Sequence, residues 1–227
     1  MKNVIETKNL CKTYEGVIPI HAVNDVDLQI QDDEFTAIVG PSGSGKSTLL
    51  NLIGGLDHPT SGEVIVNGHD LSEFSESKLI DYRLYHIGFV FQAYNLIPVL
   101  TVRENIEFIM MLQKRKKEDI KNRIHELLEE VDLLDKINKR PSELSGGQQQ
   151  RVAVARALAT KPEFVLADEP TANLDSKSAS NLLDTMERLN KEESITFIFS
   201  THDQRVIDRA RRVVTLEDGK IISDVQK

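Results

Sequence analysis

The chain has 227 residues, 40% of them hydrophobic, enough to bury a sizeable core as one domain, and its net charge of −8 argues against nonspecific nucleic-acid binding, so no nucleic-acid partner is expected. A single cysteine, Cys11, excludes an internal disulfide framework and reads as a small buried hydrophobe in a chain suited to a reducing compartment. There is no apolar run of about 18 residues and no signal-peptide core near Met1, so a soluble protein or soluble subunit is expected.

In chain order, Val4 to Leu10 and Ala22 to Ile30 alternate as two strands joined by the turn Glu15 to Pro19. Tyr14, at the end of the first strand, either stacks on a purine base or covers the core edge. The apolar run Phe35 to Val39, the loop Gly40-Pro41-Ser42-Gly43-Ser44-Gly45-Lys46-Ser47-Thr48 and the run Leu49 to Ile53 read as strand, glycine-rich turn and helix, the context of a P-loop. Its glycines let consecutive backbone amides curl into an anion-binding concavity at the positive end of the helix. Lys46 would reach the β- and γ-phosphates, Ser47 would ligate Mg²⁺, and Gly40, Ser42, Gly43, Ser44, Gly45 and Thr48 complete the cradle.

After a turn over Gly54 to Gly62 come a strand (Glu63 to Gly68), a helix (Ser75 to Tyr85) and a buried strand (Ile87 to Phe91) that ends at Gln92. A polar residue there either senses Mg²⁺ or attacking water, or caps a turn. Thr101 to Gln113 and Glu118 to Leu134 read as helices, the second with Ile120, Ile124, Leu127, Leu128 and Val131 on one face. Between them, Lys114 to Lys117 is either a solvated link or a site of attraction to anionic lipid.

Leu144-Ser145-Gly146-Gly147-Gln148 opens a helical run to Leu158, with Ser145 as N-cap and two glycines that leave the first amides unobstructed. This is ordinary capping or a second anion site; one ATP needs only one P-loop, so a second grip suggests nucleotide held between two surfaces. Phe164 to Pro170 is a strand running into Asp168 and Glu169, which can serve one site only if the strand ends there. Asp168 would hold Mg²⁺ through its hydration shell and Glu169 would orient the attacking water. Asn173 to Asp175, a helix to about Asn190, the strand Ile195 to Phe199 and then His202 come next; the histidine, at the end of a further central strand, is placed to contact the γ-phosphate. Val213 to Leu216, Glu217 to Lys220 and Ile221 to Ser223 read as a closing hairpin.

These motifs together resemble the ATP-binding cassette family over nearly the whole chain: Gly40 to Thr48 look like its Walker A, Gln92 its Q-loop, Leu144 to Gln148 its signature, Val165 to Glu169 its Walker B, Asn173 to Asp175 its D-loop and His202 its switch. The resemblance implies an α/β fold, a P-loop NTPase core with a mostly parallel sheet, an N-terminal antiparallel β subdomain and an inserted α-helical subdomain. As a single domain over 1–227, it would divide into a core from 1–92 and 161–227 and a signature subdomain over 93–160. It further implies ATP and Mg²⁺ as ligands, Tyr14 as the base-stacking aromatic, and a head-to-tail homodimer in which Ser145, Gly146 and Gly147 of one subunit close over ATP held by the other. Phe89 to Pro98 and Ala167 to Asp175 look like the lipoprotein-releasing, macrolide-exporter and cell-division-associated ATPases, although Tyr94 and Ala172 stand where phenylalanine and glycine are expected in that group.

Residues and resemblance together point to an ATP-hydrolysing subunit, peripheral at the cytoplasmic face of a bacterial or archaeal membrane, that drives lipoprotein release or macrolide, peptide or lipid export; the alternative is a cell-division or cell-wall regulatory complex that does not transport. A soluble mechanical ATPase would need a coiled coil or second cassette that this sequence lacks, and intact Glu169 and His202 argue against a non-hydrolysing scaffold. The apolar stretch Ala93 to Leu100 is either buried under the helices or a groove beside Gln92 for a short helix of the permease subunit.

Overall fold

The computed structural model describes residues 2–227. β1 (Asn3–Tyr14) and β2 (Ile20–Gln31) pair antiparallel, with Tyr14 opposite Ile20. Both outrun the sequence alternation because the register slips around Asn9 and Asp25, which take φ of 44° and 56°. β3 (Phe35–Val39) runs into α1 (Lys46–Ile53), and β4 (Ser61–Val66) and β5 (His69–Asp70) complete a four-stranded antiparallel sheet in the order β2-β1-β4-β5.

Next come α2 (Glu76–His86), β6 (Ile87–Val90), α3 (Val102–Leu112), α4 (Lys117–Glu130) and α5 (Gly146–Leu158). The chain finishes with β7 (Phe164–Asp168), α6 (Ser176–Glu193), β8 (Thr196–Ser200), α7 (Gln204–Arg209), β9 (Arg212–Glu217) and β10 (Lys220–Gln226). The second sheet has the order β10-β9-β3-β8-β7-β6, parallel throughout except for the β9–β10 hairpin.

Both faces of this sheet are covered, so its strands read as apolar runs without alternation. On one face Phe35 packs against Phe199 and Phe197 at centroid distances of 4.7 and 5.8 Å, in a cluster with Ile106, Leu127, Val154 and Met186 from α3 to α6. On the other, Ile38, Leu166 and Ile198 join Leu49 and Leu52 of α1 and the apolar face of the antiparallel sheet. The arrangement is the expected α/β one. Because β3, β8, β7 and β6 are neighbours and parallel, their C-terminal ends lie along one edge, and there the sequence places Gly40, Thr201, Glu169 and Phe91–Gln92 respectively.

The second interior helix is shorter than its apolar stripe, ending at Glu130 before a left-handed Asp132 (φ 54°) and a 3₁₀ turn. Six-residue α7, capped by Asp203, was not expected; it is too short for a helical period to show.

Candidate nucleotide-hydrolysis site

A cavity of about 640 Å³ lies at that edge, lined by Tyr14, Ile20, Ala22, Gly40, Pro41, Ser42, Gly43, Gly45, Lys46, Ser47, Thr48, Gln92, Glu169 and His202. Thr101, Ser145 and Asp175 cap α3, α5 and α6 with their side chains, but α1 starts at Gly45 with no side-chain cap and no acid in its first turn. The amides there have no partner inside the helix, which leaves them for an anion. Gly45 sits at φ 100°, and a Cβ on it would collide with the Ala22 carbonyl oxygen; Gly43, at φ 81°, has open space where a Cβ would be.

Two polar groups of the loop are buried, of which Lys46 lines the cavity and Ser44 does not. Lys46 is only 8% exposed, and its Nζ donates to the carbonyls of Gly40 and Pro41, both at 2.9 Å, with no carboxylate in reach. Ser44 Oγ, turned inside the loop, has no hydrogen-bond partner. An ammonium desolvated among neutral carbonyls, beside free amides, suits a polyphosphate.

Ser47 Oγ donates to Asp168 Oδ1 at 3.0 Å, which joins Walker A to the end of β7. Hydroxyl and carboxylate together are oxygen donors suited to Mg²⁺, and Gln92 lines the same cavity as Ser47.

Glu169 follows the last residue of β7 in a left-handed conformation (φ 46°), with its N–H donating to Ser200 O at 2.8 Å. This turn lets consecutive carboxylates serve one site: Asp168 faces Ser47 while Glu169 swings toward β8. There Thr201 Oγ1 donates to its Oε2 at 3.2 Å and His202 Nδ1 lies 2.6 Å from its Oε1. A carboxylate only accepts, so Nδ1–H is the donor of this pair and Nε2 takes no part in it. The His202 side chain is 74% exposed and lines the cavity. Asp203 is held down to about 2, chiefly by Arg205 against the cost of burial and with further help from the Thr171 hydroxyl, and it anchors the loop after Glu169 to the start of α7.

The expected signature residues sit apart from this group, and none of Ser145, Gly146, Gly147 and Gln148 lines the cavity. Ser145 Oγ accepts from the Gln148 amide at 3.3 Å while Gln148 Oε1 accepts from the Ser145 amide at 2.9 Å, a capping box. The glycines have a second reason beyond freeing amides: a Cβ on Gly146 would lie 2.8 Å from the Tyr94 hydroxyl, and one on Gly147 the same distance from Ser178.

Ala93 to Leu100 divides its apolar residues. Leu96 packs against the helical core, Val99 is 70% exposed, and Ile97 with Asn95 borders a groove of about 450 Å³ whose walls include Leu56, Ile80, Phe89, Phe108, Ile109 and Leu112. Arg156 braces the segment by donating to Tyr94 O at 2.9 Å and to Asn95 O, and Asn173 Nδ2 donates to Gln92 O at 3.0 Å. Sequence reasoning missed Ile20 and Ala22, whose clue was Pro19 just before a strand that starts opposite Tyr14, and Thr201, which has no signal beyond its neighbour His202. No helix among the described residues is long and apolar enough to cross a membrane.

The profile of the ABC transporter family matches residues 23–172. The chain is 39% identical to the ABC transporter ATP-binding protein YxdL of Bacillus subtilis over 100% of its own length and 88% of the relative, and 46% identical to the uncharacterized ABC transporter ATP-binding protein MJ1508 of Methanocaldococcus jannaschii over 99% and 100%. It superposes with a TM-score of 0.90 and 42% identity, over 98% of both chains, on a dimeric post-hydrolysis structure of the ATP-binding cassette MJ0796 bound to ADP and Pi. With P-loop, paired carboxylates and switch histidine on one edge of the sheet, the chain belongs to the ABC transporter family as an ATP-binding cassette, an ATPase subunit.

Proposed function

We propose that two copies of the chain clamp two ATP molecules head to tail and hydrolyse them to move a separate membrane subunit. The observation that carries this reading is the separation within one chain: Tyr14, Lys46, Ser47, Gln92, Glu169 and His202 line the cavity, whereas the capped helix that starts at Gly146 lies outside it. A second copy would supply Ser145, Gly146, Gly147 and Gln148 to close the site. The dimeric MJ0796 cassettes support that arrangement.

In this scheme Lys46 and the α1 amides bind the β- and γ-phosphates, Gly40, Ser42, Gly43, Ser44, Gly45 and Thr48 shape the cradle, and Tyr14 stacks on the base. Ser47, Asp168 and Gln92 would hold Mg²⁺, which spreads the charge of the leaving phosphate. Glu169 orients the attacking water, and His202, held by Glu169 through Nδ1, stands beside the γ-phosphate, to which Nε2 donates when both ring nitrogens carry a proton.

The groove beside Gln92 receives a short apolar helix of a permease subunit. A partner that pulls on 93–160 relative to the core of 1–92 and 161–227 acts on Gln92 through the chain itself, which joins the two parts at Ala93, while the bond from Asn173 to the Gln92 carbonyl ties that junction to the 173–175 turn. The cassette then sits at the cytoplasmic face of a bacterial or archaeal membrane, and its Phe89–Pro98 and Ala167–Asp175 sequences support lipoprotein release or export as the work done. Glu169→Gln tests the reading: ATP binding is retained, phosphate release falls by about 100-fold or more, and an ATP-dependent dimer appears on size exclusion. Near-normal phosphate release in this variant would refute the role given to Glu169.

A further inference from the structure

Tyr14 is 41% exposed at the rim of the cavity, where a free phenol would sample several rotamers, yet it is tied from two sides. Its hydroxyl donates to Asp57 Oδ2 at 2.9 Å, and the Lys12 ammonium lies over its ring, 5.0 Å from the centroid. Lys12 is itself anchored, donating to Asp57 Oδ1 at 2.6 Å and to His58 O at 2.7 Å. Asp57 Oδ1 also accepts from the His58 amide at 2.7 Å, so one carboxylate gathers three donors.

Asp57 stands on the turn leaving α1, where the amides of Leu56 and Asp57 both donate to Asn51 O. The helix whose first turn faces the phosphates thus carries, at its far end, the group that holds the aromatic. Lys12 lies over one face of the ring, and the tyrosine lines the cavity.

We propose that Asp57 is a positioning residue for the nucleotide base, locking Tyr14 through its hydroxyl at a set distance from the P-loop, an inference that rests on Tyr14 being the base-contacting aromatic. Burial alone would raise the Asp57 carboxyl, but hydrogen bonds from Lys12, Tyr14 and His58 hold it below the usual carboxylate range, so the tether stays charged at neutral pH. The binding advantage is preorganisation: ordering one such side chain in advance corresponds to about a 3- to 10-fold gain in affinity.

The test compares ATP with inorganic tripolyphosphate, which has no base, by titration calorimetry on the intact chain. Asp57→Ala and Tyr14→Phe should each weaken ATP by about 3- to 10-fold and leave tripolyphosphate unchanged. The double variant should be no worse than either single one. Unchanged ATP affinity in Tyr14→Phe or Asp57→Ala, an equal loss for tripolyphosphate, or losses that multiply in the double variant would overturn the proposal. If Asp57→Ala does not fold, Tyr14→Phe carries the test, because it leaves the Asp57–Lys12 pair intact. Tyr14→Ala separates the two readings: if it too leaves ATP affinity unchanged, the base-stacking role fails, and not merely the tether.

Discussion

Glu169, to which we assign the orienting of the attacking water, stands on a backbone that a side chain makes uncomfortable. Its left-handed conformation costs on the order of 1 kcal/mol, offset by hydrogen bonds to Ser200 O, Thr201 Oγ1 and His202. Those partners define what each does. Removing His202 leaves the carboxylate with only the Thr201 hydroxyl, so His202→Ala should keep ATP affinity within a few-fold while kcat falls by about 100-fold or more, the range for a lost proton-transfer or orienting group; steady-state and single-turnover assays would separate the two effects. A kcat near wild type would assign the histidine to structure. The need for both Asp168 and Glu169 to face one site was legible from strand alternation and Pro170, but not the φ of 46° that achieves it, because a single left-handed residue leaves no periodic trace.

Elements with strong local chemistry were read well: the turn-and-helix of the P-loop, the Ser145 cap and the apolar runs of a sheet buried on both faces. Those shaped by tertiary contact were not. The bulged ends of β1 and β2, the six-residue α7 and the inward turn of Leu96 depend on partners distant in sequence. The ends of α4 and α6 show such a contact, where Arg188 donates to Glu130 O at 2.9 Å. Burial, then the neighbouring Glu193 carboxyl, push Glu130 up to about 7 despite Arg123, with Glu126 adding to the rise. Its folded form therefore holds a proton more tightly than the unfolded chain. This contribution is full below the ordinary value of 4.5 and is lost as pH rises through about 7. Glu130→Gln should flatten the pH dependence of Tm across that interval and raise Tm at pH 8 by about 1–3 °C, measured by calorimetry. A lower Tm at pH 8 would contradict it.

The whole molecule presents the nucleotide cavity proposed above on one surface and an apolar groove on another. The groove predicts a separation of functions: Phe108→Glu or Leu112→Glu, both on exposed side chains of its wall, should weaken co-purification with the permease subunit while the isolated cassette keeps its phosphate-release rate. Leu96 is a poorer probe because it packs into the core, so a charge there would damage the fold. Loss of basal activity in the Phe108 or Leu112 variants would mean that the groove serves the cassette itself. Complementation tests the central claim, a site shared between two chains, most directly. Lys46→Ala removes the phosphate lysine and Ser145→Arg obstructs the capped helix, so each homodimer has two broken sites, whereas the mixed dimer has one intact pair of halves and one doubly broken pair. Phosphate release measured on the isolated mixed dimer should return to a substantial fraction of the wild-type rate, and a verified mixed dimer as inactive as its parents would contradict the shared site.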